Sequence, residues 1–206
     1  MLVACLIVQS PLSTRTFNGA TGHRLAWNRL KDIRGVERFV VVAAPELLDS
    51  TVRMLKKAGN GPGKYIALPP SGLDSLMKRL TEKPLNAIST SGHEYPVDAP
   101  LSTDDVVIFD RCLSPFATSG VLESCLNPDN AKLTCPGQRD FCITSSTGPI
   151  KTALANVPVL NTSLGVYRFL AAGEVAYAEA SRVELLKMDR QEDLNIAQAL
   201  ELYGTD

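Results

Sequence analysis

The sequence predicts an α/β fold, a three-layer α/β/α sandwich around a mostly parallel sheet, and three observations carry that reading. Short apolar runs at residues 2–8, 39–42 and 106–109 have the composition of strands buried on both faces. Segments with helical spacing stand between the first runs, so strand and helix alternate from residue 1 to about residue 80. The run Val106-Val107-Ile108-Phe109 ends in an acid, Asp110, at the carboxyl end of a strand, where open parallel sheets gather their ligands.

Residues 2–8 form the first strand, and a loop rich in hydroxyls, Gly and Asn follows from Gln9 to Gly22, with Arg15 as its one cation. Leu25, Ala26, Leu30 and Ile33 recur at helical spacing before Gly35, and a second strand covers residues 36–44. Pro45 opens a helix whose face carries Leu47, Leu48, Thr51, Val52 and Leu55, and Gly59 closes it. Residues 64–68 and 73–80 add another strand and helix, which points to right-handed crossovers. The run from Gly59 to Lys64 reads as a turn. It lacks the phosphate-loop spacing, Tyr65 stands where a hydroxyl residue belongs, and a strand follows it.

Residues 84–103 are weakly patterned and read as a loop. A short helix follows Ser119, a strand covers residues 141–144, and residues 145–162 form an arm or an antiparallel hairpin. Leu164, Tyr167, Leu170, Ala171, Val175, Ala176 and Ala180 predict a helix, and residues 183–188 a last strand. Asp189 and Glu192 fit a capping box before a final helix with Leu194, Ala197 and Leu200.

Two hundred and six residues fill one large domain, and no linker divides them. With 45% hydrophobic and 21% charged residues the composition is that of a globular protein, and a net charge of -1 argues against a nucleic-acid binder. No apolar run approaches the roughly 18 residues of a membrane span, so the expectation is a soluble, cytoplasmic protein. Five cysteines without a Cys-x-x-Cys pair, and only two histidines, speak against a disulfide framework or a transition-metal centre.

For Asp110 two readings stand side by side: a carboxylate that holds a cation against phosphates, or an Asx-type turn before the next helix. Trp27 and Tyr167 read as core packing, His93 as solvated, and Arg24 as a solvated helix residue in preference to a triphosphate contact.

Taken together, Ser13-Thr14-Arg15 after the first strand, Val106-Val107-Ile108-Phe109-Asp110 with Pro115-Phe116-Ala117-Thr118, and Leu186-Lys187-Met188 with Glu192-Asp193-Leu194 resemble one family. They are similar to the cytidylyltransferases related to 2-C-methyl-D-erythritol 4-phosphate cytidylyltransferase. The resemblance implies a Rossmann-like nucleotidyltransferase sheet, CTP as cosubstrate and Mg²⁺ as cofactor. It also implies transfer of CMP to 2-C-methyl-D-erythritol 4-phosphate or a related sugar phosphate, a step of isoprenoid precursor biosynthesis. On it, Asp110 is the metal ligand, Ser13, Thr14 and Arg15 meet the triphosphate, Arg15 and Lys187 are catalytic, and Lys187 contacts the acceptor phosphate. Ile150-Lys151 echoes the base of a dimerising arm, which implies a homodimer.

The chain departs from that pattern. Pro11, Leu12 and Ser13 replace loop glycines, no lysine stands between Arg15 and Lys31, Phe109 replaces a histidine, and Pro149 stands near the second aspartate position. Two functional classes therefore stay open: a cytidylyltransferase, or a member that kept the fold and lost the chemistry to serve in binding or regulation.

Overall fold

The structure, a computed structural model, describes residues 1–17, 19–59, 61–126, 141–143, 161–169, 177–179, 188 and 190–203. In chain order it runs β1 (Leu2–Val8), a 3-10 turn (Pro11–Thr14), β2 (Thr16–Phe17), β3 (Ala20–Thr21), α1 (Gly22–Asp32), β4 (Arg38–Ala43) and α2 (Pro45–Lys57). Then come β5 (Ile66–Ala67), α3 (Leu73–Thr81), β6 (Val106–Asp110), α4 (Ser119–Leu126), β7 (Phe141–Ile143), β8 (Asn161–Arg168), β9 (Tyr177–Glu179) and α5 (Gln191–Tyr203).

One sheet takes the order β5-β4-β1-β6-β8-β7-β9, and β2 pairs with β3 in a small separate hairpin. The strands β5, β4, β1 and β6 are mutually parallel, whereas β8 runs antiparallel to β6. Among the described strands β6 is the fourth of seven in this sheet, the central place its apolar run predicts.

The period of two along each strand sorts the side chains into layers. Ala4, Leu6 and Val8 of β1, with Val41, Ala43 and Ile108, pack against Ala26, Trp27 and Leu30 of α1, Leu48, Val52 and Leu55 of α2, and Val121 and Leu122 of α4. Val3, Cys5 and Ile7, with Val40, Val42, Val107 and Phe109, face Leu73, Leu76, Met77 and Leu80 of α3. This is the predicted three-layer α/β architecture, and it explains why β1 is apolar at every position.

Each helix carries the signals that place it. Pro45 sits in the first turn of α2 with Glu46 beside it, and Lys56 and Lys57 occupy the last turn, so the charges oppose the helix dipole at both ends. Gly59 and Gly63 adopt φ values of +71° and +75°, which makes the segment between α2 and β5 the turn its composition suggests. The loop at 84–103 covers the edge of β5, where Tyr65 N–H donates to Pro96 O at 2.8 Å and Ala67 N–H to Asn86 O at 2.7 Å.

The predicted helix over residues 164–180 is corrected. Residues 161–168 are β8 and residues 177–179 are β9, while residues 170–176 and 180 lie outside the described residues. Ile108 pairs with Val166 and Asp110 with Leu164. An i, i+3 pair such as Leu164 and Tyr167 also suits a strand with both faces buried, and partnership with β6 decides between the two periods. At the start of α5 Asp193 reaches back, its Oδ2 accepting Arg190 N–H at 2.8 Å, whereas the expected capping box falls on Asp189, outside the described residues. Asp189, residues 183–187 and residues 145–160 of the expected arm lie outside the described residues. No helix among the described residues is long and apolar enough to cross a membrane.

Trp27 packs edge-on against Phe39 at 5.4 Å between ring centroids, and its buried indole N–H has no partner among the described residues. Trp27→Ala should lower stability by about 3–5 kcal/mol. Trp27→Phe should cost much less, because the lost contacts are offset by removing an unsatisfied donor worth roughly 1–3 kcal/mol. Urea unfolding of the two variants checks the difference.

Candidate functional site

β4 lies on one side of β1 and β6 on the other, so the chain reverses its direction of growth between β1 and β6. At such a switch point the loops diverge and leave a crevice beyond the strands' carboxyl ends. Gln9 follows β1 there, Pro69 and Ser71 follow β5, and Asp110 and Arg111 end β6. Gln9 Nε2 donates to Pro69 O at 2.9 Å, and its Oε1 is buried with no partner among the described residues. Arg111 reaches Ser71 O at 3.4 Å and lies at the start of α3, whose N-terminus has no side-chain cap.

Asp110 does not point into this crevice. It shares strand parity with Ile108, which faces α1, and its side chain is fully buried on that face. Arg29 meets it there. The guanidinium places Nε 3.0 Å and one terminal nitrogen 2.7 Å from Asp110 Oδ2, and donates from the other terminal nitrogen to Ala117 O at 3.1 Å. The other carboxylate oxygen accepts Cys112 N–H at 2.8 Å, which is the Asx-type turn weighed from the sequence. Cys112 holds φ at 63°, so this turn keeps a non-glycine residue in the left-handed region. Burial pushes the thiols up, Cys112 well above its ordinary value and Cys5 to about 12, so both remain neutral thiols.

The arrangement can be tested for Mg²⁺, which takes about six oxygen ligands and keeps several waters. Asp110 Oδ2 already accepts two charge-assisted bonds and Oδ1 a third, inside a site with no solvent exposure. Among the described residues no group of three His, Cys, Asp or Glu side chains gathers around a common point. The described donors as placed therefore do not fit a hydrated divalent cation.

The loop after β1 has its own economy. Leu12 N–H donates to Ser10 Oγ at 3.3 Å, Ser13 N–H to Ser10 O at 3.0 Å and Arg15 N–H to Leu12 O at 3.1 Å. These amides close the 3-10 turn and do not wrap a ligand. Ser13 Oγ and Thr14 Oγ1 donate back to the carbonyls of Ser10 and Pro11 at 2.6 and 2.7 Å. The Arg15 side chain is exposed. The expected triphosphate residues are thus adjacent in the turn, but no contact joins them to Asp110. Lys187 lies outside the described residues; its neighbour Met188 donates from N–H to Leu113 O at 2.8 Å, beside the β6 loop.

Gly22 locks the loop to the β6 turn. A Cβ there would stand 2.9 Å from Ser13 O and 3.1 Å from Cys112 O, both backbone atoms that cannot give way cheaply. His23 follows, buried, its Nδ1 2.9 Å from Ser13 O. A carbonyl only accepts, so Nδ1 carries the proton, and burial pulls the His23 pKa below its ordinary value.

Elsewhere a serine, a histidine and an aspartate meet at Ser91, His93 and Asp49, but they do not form a relay. Both contacts of His93 fall on one nitrogen, Nδ1, at 3.1 Å from Ser91 Oγ and 3.3 Å from Asp49, whereas proton transfer from a serine needs the second nitrogen. Hydrogen bonds from Ser91 and Tyr95 hold the Asp49 carboxyl below the usual range. The cluster ties α2 to the 84–103 loop.

Arg29 is the residue that sequence reasoning missed. Its signal was available: it falls three residues after Ala26 and seven after Gly22, on the face that α1 buries.

No protein-family model matches the sequence, and no curated protein sequence matches it. Among solved structures, the fold is similar to that of 4-diphosphocytidyl-2C-methyl-D-erythritol synthase from Anaerococcus prevotii DSM 20548. That match has a TM-score of 0.51 and 12% identity, and covers 96% of this chain and 95% of the other. The likeness is one of fold.

Arg29→Met should destabilise the protein by about 3–5 kcal/mol, the usual result of stranding a buried carboxylate, measurable by urea unfolding. Acidification gives a second check. Because the folded His23 pKa lies below the unfolded value of 6.5, the unfolded chain takes up the proton first, so stability falls as pH drops from 6.5 toward the folded value. Unfolding midpoints recorded across that window should fall more steeply for the wild type than for His23→Gln.

Proposed function

We propose that this chain is a nucleotide-binding protein of nucleotidyltransferase-like fold in which nucleotidyl transfer has been given up. The Arg29–Asp110 pair carries the reading. Transfer needs a cation held against phosphate oxygens while charge grows on the leaving pyrophosphate. Here the carboxylate at the matching strand end is neutralised by a tethered guanidinium, and the loop amides that would wrap a triphosphate close a turn instead. Losing one well-aimed charge from such a site costs on the order of 3 kcal/mol of barrier, about a hundredfold in rate. The crevice keeps features suited to binding: the unpartnered Gln9 Oε1 accepts from an exocyclic amino group such as that of cytosine, and the uncapped start of α3 favours an anion.

A second reading is an active cytidylyltransferase that uses CTP and Mg²⁺ on 2-C-methyl-D-erythritol 4-phosphate or another sugar phosphate. The position of Asp110 at the carboxyl end of the central strand favours it. In that reading Asp110 would be the metal ligand, Ser13, Thr14 and Arg15 would meet the triphosphate, and Lys187 would hold the acceptor phosphate. The same reading carries the homodimer through the 145–162 arm and a cytoplasmic location.

Incubation with each nucleoside triphosphate, Mg²⁺ and a panel of sugar phosphates separates the two. The binding reading expects no pyrophosphate above background, and cytidine nucleotide affinity that is indifferent to Mg²⁺ and weakened by Gln9→Ala. Mg²⁺-dependent pyrophosphate release from CTP would establish the transferase instead.

A further inference from the structure

A second cavity, of about 390 Å³, opens between the β2–β3 hairpin, the first turn of α1 and the second half of α2. Arg24 of α1 and Arg53 and Lys57 of α2 line it, all three exposed, and its described lining contains no carboxylate. Among the described residues Arg24 and Lys57 form no ion pair, and Arg53 is engaged through Nε, on the carbonyl of Asp49 at 3.3 Å. The Asp49 carboxylate itself, one turn before Arg53, is held by Ser91, Tyr95 and His93. Three cations without counter-charges around one cleft favour an anionic partner. The chain as a whole carries a net charge of -1, so that attraction is local to this face.

The uncharged part of the lining describes that partner further. Met54 and Ala58 each follow a cation of α2 by one residue, so the row of Arg53 and Lys57 runs beside a row of Ser50, Met54 and Ala58. Met54 is half-buried, with the rest of its side chain left on the cleft. A small inorganic anion would meet the cations and leave this apolar row in water. In an extended peptide neighbouring side chains point to opposite faces, so acids and apolar residues cannot meet two adjacent rows at once. A helix presents such rows side by side, and its positions i and i+4 stand about 6 Å apart along the axis, the same one-turn spacing as Arg53 and Lys57. We infer that this cleft docks an acidic amphipathic helix of a partner protein. Carboxylates one turn apart meet Arg53 and Lys57, a further acid meets Arg24, and the neighbouring apolar row packs on Met54 and Ala58. Methionine adapts to varied apolar side chains, and acids on clustered arginines fix the register. The surface is separate from the switch-point crevice and does not depend on what that crevice does, since neither Gln9 nor Asp110 lines it.

Fluorescence anisotropy with the full chain tests this, using a labelled helical peptide that carries Glu at i and i+4 positions and Leu in the neighbouring row. Saturable binding is expected, and it should be lost in about 1 M salt, where charges are screened beyond about 3 Å. A peptide of the same composition in scrambled order should bind more weakly, and an equal concentration of inorganic phosphate should not displace the ordered one. Arg53→Ala and Lys57→Ala, both at exposed positions that leave the fold intact, should each weaken binding about two- to fivefold, the range of an exposed ion pair. Replacing both with Glu should abolish it. Carbon NMR should show the Met54 methyl resonance moving on addition of the ordered peptide while that of Met77, fully buried on α3, stays still. Equal affinity for the scrambled peptide, displacement by inorganic phosphate, an unchanged affinity in both alanine variants, a still Met54 methyl or no saturable binding overturns the inference.

Discussion

The pairing of Arg29 with Asp110 is the constraint on which the centre of this molecule depends. A carboxylate with no solvent exposure between β6 and α1 is tolerable only if its charge is met and its lone pairs are used, and three donors do this. The same guanidinium holds the carbonyl of Ala117, so one side chain of α1 fixes the end of β6, the Cys112 turn and the segment leading to α4. Replacing both partners with apolar groups could be neutral for stability, whereas removing one is costly, so the pair sets geometry more than it adds stability.

That geometry decides what the switch point can do. Strand parity turns Asp110 toward the helix layer and away from the crevice, and Gly22 brings the loop after β1 against the same turn so closely that a methyl group does not fit. The loop in turn consumes its own amides in a 3-10 turn. The sheet is thus kept while Asp110 and the amides of the loop after β1 are committed to contacts within the protein. Uncommitted cations line the hairpin side of α1 and α2, where they surround the second cavity.

The sequence showed the fold well where burial is two-sided and contacts are local. Residues 2–8, 39–42 and 106–109 are apolar at nearly every position because helices cover both faces, and that pattern survives without knowledge of partners. It misled at residues 161–168, where Leu164 and Tyr167 fit helix and strand alike and only pairing with β6 distinguishes them. Asp110 was legible as special, with an Asx turn one of its two readings, but Arg29 lies 81 residues away and an arginine in a helix reads first as solvated. Arg53 and Lys57 went unread for a similar reason, since the cavity exists only once the hairpin folds toward α2.

The central claim is that the guanidinium of Arg29 occupies the place a divalent cation would take at Asp110. Titration of the full chain with Mn²⁺ in the presence of CTP, followed by electron paramagnetic resonance, reads this directly. The account predicts that Asp110→Asn leaves the amount and affinity of protein-bound Mn²⁺ unchanged. Tight Mn²⁺ binding by the wild type that is abolished in Asp110→Asn would contradict it.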